Sequence, residues 1–394
     1  MSPASPALAC FVTPHGLGHA ARAAAVLAAL QKREPALRVE LFTMVPPAFF
    51  ESSGCRNLTA HAVRTDIGFV QRGPFVSDME ATIEALDAFL PFDAALVERL
   101  AARIREAGCG AVLCDIAPLG IAVARAAGVP SILIENFRWD ALYRYYESAH
   151  PRLAAHADTL QRWFDAADIL IQTEPICRPN PAAALVTGTV SRPPRAPRAA
   201  VRRALGLAAG RRLVVISMGG VTARTPLLAH LAHRDDLAFV VASGAERAQT
   251  RGNVISLPLH SEFYHPDLIA AADAVLGKVG YSTLAEVYRA GVPFGYGVRP
   301  DYPEMPALVA FLERHACGLP LSDPDLGQGV TPDFIDRLLA LPRRTPAEPD
   351  GAAAIAEHVL RGSLARDTRR EETPPRSNGA PVKRPGTRGP RPRG

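Results

Sequence analysis

The chain has 394 residues, too many for one typical core and enough for two domains of ordinary size. Hydrophobic residues make up 48% and charged residues 21%, a globular balance, and no apolar run reaches the ~20 residues of a membrane helix. The formal charge of +5 is concentrated: residues 363–394 hold nine Lys/Arg against three Asp/Glu, a net of +6, which leaves residues 1–362 near −1. The folded body therefore offers no electrostatic case for nucleic acid. The Pro/Gly/Arg-rich tail is too poor in apolar residues to form a core and reads as a disordered, solvated extension. Its alternative use is contact with nucleic acid or anionic lipid, so association with a membrane surface stays open. The start, MSPASPALACFVTP, has no basic stretch ahead of its apolar segment and reads as a first strand rather than a signal peptide. Six scattered cysteines form no zinc pattern; reduced thiols in a cytoplasmic protein are expected.

Residues 7–13 read as a strand running into the turn Pro14-His-Gly-Leu-Gly-His19, and a helix follows with Ala23, Val26, Leu27 and Leu30 on its apolar face and Arg22 off it. Residues 39–45 are a second strand, 67–77 are irregular, and 79–105 are helix broken near Pro91. A short strand ends in Asp115 and precedes helix 116–127. Strand 131–134 runs into Glu135-Asn136, helices cover 139–146 and 160–167, and 169–172 is a strand. The stretch 174–198, rich in proline and arginine, is the best domain boundary. Beyond it the alternation restarts: helix 199–205, strand 212–217, a helix from Thr225, strands 238–242 and 254–257, helix 267–272, and a strand ending at Leu276. Strand 294–298 and helices 306–315, 332–341 and 352–360 complete the body. Strands alternating with helices predict parallel, doubly wound sheets, and two such halves predict a cleft with ligands at the carboxyl ends of the strands.

Three glycine turns follow strands, at 15–18, 218–220 and 278–280. Distributed over both halves, they suggest an extended phosphate-bearing ligand gripped mainly by the second. Neither G-x-G-x-x-G nor a Walker A lysine pattern is present, which disfavours NAD and P-loop ATP chemistry. In the third turn a helix opens after Lys278 and Gly280 on Ser282 and Thr283, offering free N–H groups and a positive dipole end to an anion. Glu286, one turn further on, is placed to meet a sugar hydroxyl. An ordinary strand–helix connection is the competing account of this stretch. His19 opens the first helix, where the dipole keeps an imidazole neutral and able to accept a proton, and Asp115 ends a strand of the same sheet, placed to orient it. Alternatively His19 bonds local backbone and Asp115 caps the next helix. Arg299, Asp301 and Glu304 follow a strand on the ligand side, as sugar or phosphate partners or as a salt-linked surface loop. Phe137, Trp139, Tyr143, Tyr145 and Tyr146 line an acceptor groove or pack the core.

Together HGLGHAAR (15–22), ENFRWD (135–140), VTG (186–188), GKVGYSTLAEVYRAGVP (277–293) and RPDYPE (299–304) resemble the GT-B glycosyltransferases. The likeness is to the branch holding the N-acetylglucosaminyltransferase of peptidoglycan synthesis, and more closely to the amino-terminal, glycosyltransferase-like region of L-arabinokinases. It implies an α/β fold of two Rossmann-like, doubly wound domains facing a cleft: an acceptor-side domain over 1–185, a nucleotide-sugar-binding domain over 186–362, and the disordered basic tail over 363–394. It implies that Lys278, Gly280, Ser282 and Thr283 meet a diphosphate, backed by Gly219 and Gly220. Glu286 would take the ribose hydroxyls, with Arg299 and Asp301 near the donor. His15, Gly16, Gly18, Glu135 and Asn136 form the acceptor side, with His19 near the acceptor hydroxyl. The family's acidic–glutamine pair on the donor sugar is not evident; Asp301 and Glu304 occupy that neighbourhood. The kinase domain of arabinokinases is absent from this sequence.

The expected function is transfer, with inversion, from a UDP- or related nucleotide sugar to a small-molecule or lipid-linked hydroxyl acceptor. No bound metal or cofactor is expected beyond the nucleotide sugar itself. His19 and Asp115 are the catalytic candidates. A non-catalytic nucleotide-sugar-binding module and a nucleotide-sugar 2-epimerase are the alternatives, and oligomeric state is not legible.

Overall fold

The computed structural model describes residues 5–72, 76–218, 226–231, 233–299, 301–346 and 348–364. Gly219, Gly220 and the tail beyond residue 364 lie outside the described residues. So does Thr225, where a helix was expected to start; a single 3-10 turn, Pro226–Leu228, is described after it.

Two seven-stranded sheets carry the chain. The first holds β1 (Ala7–Val12), β2 (Arg38–Thr43), β3 (Leu58–Ala62), β4 (Cys109–Asp115), β5 (Ser131–Glu135), β6 (Ile169–Thr173) and β7 (Leu185–Thr187), in the order β3-β2-β1-β4-β5-β6-β7, all parallel. The second holds β8 (Arg212–Ser217), β9 (Leu237–Val241), β10 (Gln249–Arg251), β11 (Val254–Ser256), β12 (Ala274–Lys278), β13 (Phe294–Gly297) and β14 (Gly318–Pro320), in the order β10-β11-β9-β8-β12-β13-β14. It is parallel except for β10, which runs antiparallel to β11. Strands buried on both faces read as unbroken apolar runs, and β1 is buried along its whole length. The strand order reverses between β1 and β4 in one sheet and between β8 and β12 in the other. Those switch points open crevices at the carboxyl ends of the strands, where His19, Asp115, Ser217 and Lys278 lie.

The helices follow from apolar faces and caps. Asp78 and Asp93 accept from the N–H groups of Ala81 and Ala95, starting helices Met79–Phe89 and Ala94–Glu106 on either side of the expected break. Helix Leu17–Arg33 buries Ala20, Ala24, Leu27 and Leu30 against the first sheet. One buried apolar cluster is continuous across both halves, running from Phe11 and Val112 through Phe137, Trp139 and Tyr143 to Val275 and Tyr302. No helix among the described residues is long and apolar enough to cross a membrane.

The linker is where the fold departs most from expectation. The division expected at 185/186 falls within β7, which pairs with β6 in the first sheet. Helix Gly351–Val359, expected with the second half, packs on helix Leu17–Arg33 through Ile355, Ala356 and Val359. Its entry is tied to the linker by Asp350, which accepts from Ser191 N and Oγ at 3.0 and 2.9 Å. The physical reason is the apolar stripe of this last helix, which covers surface on the first helix that would otherwise face water.

Candidate functional site

A cavity of about 510 Å³ lies between the two halves, and both switch points open into it. From the first half it is lined by the turn Gly16–His19 with Arg22, Phe137 and Trp139. From the second it is lined by Ser217, His265, Lys278, Gly280, Ser282, Thr283, Arg299 and Glu304.

On the first wall, His19 and Asp115 meet as the sequence suggested. The His19 Nδ1–H donates to Asp115 Oδ1 at 2.9 Å. Arg22, one helical turn after His19, donates to the same carboxylate through Nε (2.7 Å to Oδ2) and Nη2 (2.6 Å to Oδ1). Burial alone would raise the Asp115 carboxyl, but Arg22 and His19 overcome it and hold it below the usual carboxylate range. An ionised Asp115 only accepts, so His19 carries its proton on Nδ1 and Nε2 is left as an acceptor. Burial is the largest influence on His19 and lowers it, with Asp115 opposing; the ring is neutral at pH 7. Arg22 corrects the sequence reading, which placed it off the apolar face: it is buried because it neutralises Asp115. The i, i+3 spacing of His19 and Arg22 was the signal that could have found it.

His15 stands edge-on to Trp139, with ring centroids 5.0 Å apart, and burial lowers it to about 3. It forms neutral wall. Gly68 lets it fit, since a Cβ there would fall 2.5 Å from His15 Cγ. Glu135 and Asn136 do less than expected of acceptor residues. Glu135 is buried and absent from the cavity lining, with Oε1 accepting from Gln172 and Oε2 unpartnered, and burial raises it to about 7. Asn136 lines the cavity, but its Nδ2 is spent on Thr173 and the Pro175 carbonyl.

Two helix N-termini converge on the cavity. Helix Leu17–Arg33 starts after Gly16 and helix Tyr281–Ala290 after Gly280; neither has a side-chain cap or an acid in its first turn. The turns abut, for a Cβ on Gly18 would lie 3.5 Å from Ser282 Cβ. Gly277 allows β12 to approach β8 closely, since a Cβ there would overlap the Ser217 carbonyl. Lys278 follows, pushed down to about 8 by burial and by Arg299. Uncapped N–H groups, two positive dipole ends and a lysine make an anion site.

Glu286 is not on the cavity wall. Its Oε1 accepts from Arg192 (Nε 3.1 Å, Nη2 2.9 Å) and its Oε2 from His265 Nδ1 (2.7 Å). Burial opposes its ionisation, but Arg192 and His265 outweigh that and hold it low. What faces the cavity is His265, whose Nε2 lies 3.0 Å from Ser217 Oγ. Neither Arg192, His265 nor Ser217 was singled out from sequence. Ser217 ends a strand, His265 opens a helix and Arg192 lies in the linker, and their meeting is visible only once the strand order is known. Asp301 also departs from its expected place. Its side chain is exposed, and its carbonyl accepts from Tyr146 OH at 2.7 Å, tying the halves together. Glu304 takes the place in the cavity, and burial raises it to about 8.

Two facing α/β sheets with a cleft at their switch points are the GT-B fold. Solved structures bear this out. The chain is similar to Medicago truncatula UGT71G1, complexed with UDP-glucose, at a TM-score of 0.56 and 12% identity over 91% of this chain and 94% of that one. It is similar to the glycosyltransferase VinC in complex with dTDP (TM-score 0.55, 16% identity, 92% and 100% covered) and to SnogD of Streptomyces nogalater (0.52, 17%, 91% and 94%). Among curated proteins it is 29% identical to the L-arabinokinase of Arabidopsis thaliana over 362 residues, 89% of this chain. The chain spans about a third (34%) of that relative's length. No protein-family model matches it.

Proposed function

We propose that this protein transfers a glycosyl group from a nucleoside-diphosphate sugar, a UDP or related pyrimidine donor, to a hydroxyl on a small-molecule or lipid-linked acceptor, with inversion. The observation that carries this reading is the pair of uncapped helix N-termini beside Lys278, with a histidine in the first turn of one of them whose Nε2 is free to accept. The diphosphate sits where Lys278, Gly280, Ser282 and Thr283 converge; the nucleoside lies on the Ser217 and His265 side, and the sugar toward Arg299 and Glu304. Glu286 positions His265 and Arg192, and any ribose contact runs along that chain. The acceptor O–H gives its proton to His19 Nε2. Its oxygen bonds to the anomeric carbon as the bond to the diphosphate oxygen breaks, and the electron pair leaves with the diphosphate. Negative charge grows there, and the fixed dipoles and Lys278 stabilise it without reorganisation, so the step needs no metal ion. Complexes of structural neighbours with dTDP and UDP-glucose support a pyrimidine donor.

The test is His19→Ala. Turnover is expected to fall about 10²–10⁴-fold with UDP affinity unchanged; undiminished turnover would remove His19 as the base. A second reading, a nucleotide-sugar-binding module without transfer, draws on the curated match covering only a third of a protein named for kinase activity. Donor binding with no product over a broad acceptor panel would favour it. UDP release without any acceptor would favour an epimerase instead.

A further inference from the structure

Three arginines are buried among the described residues: Arg22, Arg192 and Arg299. The first two face carboxylates, Asp115 and Glu286. Arg299 has no ion-pair partner among the described residues. It is 6% exposed and lines the cavity. Its Nη2 donates to Ser77 Oγ at 2.9 Å, its guanidinium carbon lies 3.8 Å from the Tyr302 ring centroid, and its Nε is buried with no partner. Taking a guanidinium out of water without a counter-charge is costly, and its planar fork of donors matches a carboxylate edge. Stacking on Tyr302 fixes the plane of that fork. Neither nearby acid forms an ion pair with it: Asp301 is exposed, and burial raises Glu304 to about 8 against the pull of Arg299 and Lys278. Even ionised, Glu304 would be shared between Arg299 and Lys278.

A diphosphate in the pose proposed above would not account for this charge, because two helix N-termini and Lys278 would already face it. The sheet order β8-β12-β13 presents Ser217, then Lys278, then Arg299 along the cleft. In the pose proposed above, nucleoside, diphosphate and sugar follow the same sequence. Arg299 therefore stands at the sugar end, against Ser77 of the first half.

We propose that Arg299 receives a carboxylate on the glycosyl side of the ligand, so that the substrates include an acidic, uronic-acid-type sugar. This rests on the nucleotide-sugar reading above. The carboxylate belongs either to the donor sugar or to the acceptor, and the experiment separates the two. The full chain is titrated with UDP, then with UDP-glucose and UDP-glucuronate, which differ only at C6. With UDP bound, it is titrated with glucose and glucuronate as acceptor probes. In one of the two pairs the acid is expected to bind about tenfold or more tighter, the scale of a charge-assisted fork. Arg299→Gln erases that preference while UDP affinity stays within about threefold. Arg299→Lys keeps the charge, loses the fork and retains only part of the preference. Equal affinities in both pairs overturn the proposal, with no variant needed. So does an Arg299→Gln protein that loses affinity for UDP itself, which would make Arg299 a diphosphate ligand. If the folded chain binds none of UDP, dTDP or GDP, the nucleotide-sugar reading fails first and this proposal falls with it.

Discussion

His19 and Arg22 reach the same carboxylate from adjacent turns of one helix, and this sharing sets what His19 can do. Asp115 alone would favour the imidazolium; Arg22 cancels much of that charge and, with burial, keeps His19 a weaker base than a simple Asp–His pair. The compensation is order. Asp115 stays ionised, the Nδ1–H tautomer is fixed, and Nε2 presents its lone pair whenever the ring is neutral. Arg22→Gln removes the positive neighbour, so His19 should hold its proton to higher pH. The acid limb of kcat/KM is expected to move up by about one pH unit, read from a pH–rate profile. The same change leaves a buried carboxylate half-paired and should cost about 3–5 kcal/mol in chemical denaturation. A second residue has the opposite linkage. The Glu135 carboxyl is raised to about 7 by burial, so the folded state holds its proton more tightly than the unfolded chain. Its contribution is complete below the unfolded value near 4.5 and is lost as pH rises through 7. Stability should therefore decline by up to about 3 kcal/mol between pH 4 and 8, and Glu135→Gln should flatten that decline in denaturant melts at several pH values.

Among the elements, the β12 turn and its helix were legible because every level of the sequence agreed: a small apolar strand, glycines at the turn, and Gly291 in a left-handed conformation at the helix end. The paired helices at 79–89 and 94–106 were legible for the same reason. The strands left unread are β3, β7, β10 and β14. β10 is exposed throughout, and β7, β10 and β14 are three residues long, too short to display a period. Glu286 shows another limit. Helical spacing put it one turn beyond the anion site, but not that Arg192, distant in sequence, would claim it. The close approach of β12 to β8 was also hidden, and it yields a direct test. Gly277→Ala places a Cβ 1.9 Å from the Ser217 carbonyl oxygen, which neither backbone can absorb without moving. The ladder between β8 and β12 should open at the Ser217–Gly277 pair, lowering stability by about 3 kcal/mol or more and weakening nucleotide binding. A thermal melt together with a UDP titration reads both, and a native-like variant would show that the two strands are not held so tightly.

At the scale of the molecule, the site belongs to neither half. The proposed base comes from the first helix of one half and the Lys278 turn from the other half, and polar and aromatic contacts close the boundary around them. Phe137 stacks on Tyr281 at 5.6 Å, Tyr146 OH bonds the Asp301 carbonyl, and Arg195 Nη1 donates to the Ser52 carbonyl at 2.6 Å. The linker is held as well: Arg192 lies over Phe49 and Tyr264, and Arg195 over Tyr264. Composition located this linker, since a proline- and arginine-rich stretch between two alternating runs is a boundary. It could not show the last helix crossing back onto the first, because that depends on which apolar surface remains uncovered. With two crossings and a continuous apolar cluster, the halves are expected to unfold as one unit. A nucleotide gripped by both helix N-termini binds only the closed arrangement, and so should stabilise the whole. At 100 times its Kd, UDP should add about 2.7 kcal/mol to a single cooperative transition. Two transitions in calorimetry, of which UDP raises only one, would mean that the nucleotide is held by one half alone and that the turn at Gly16–His19 takes no part in binding it.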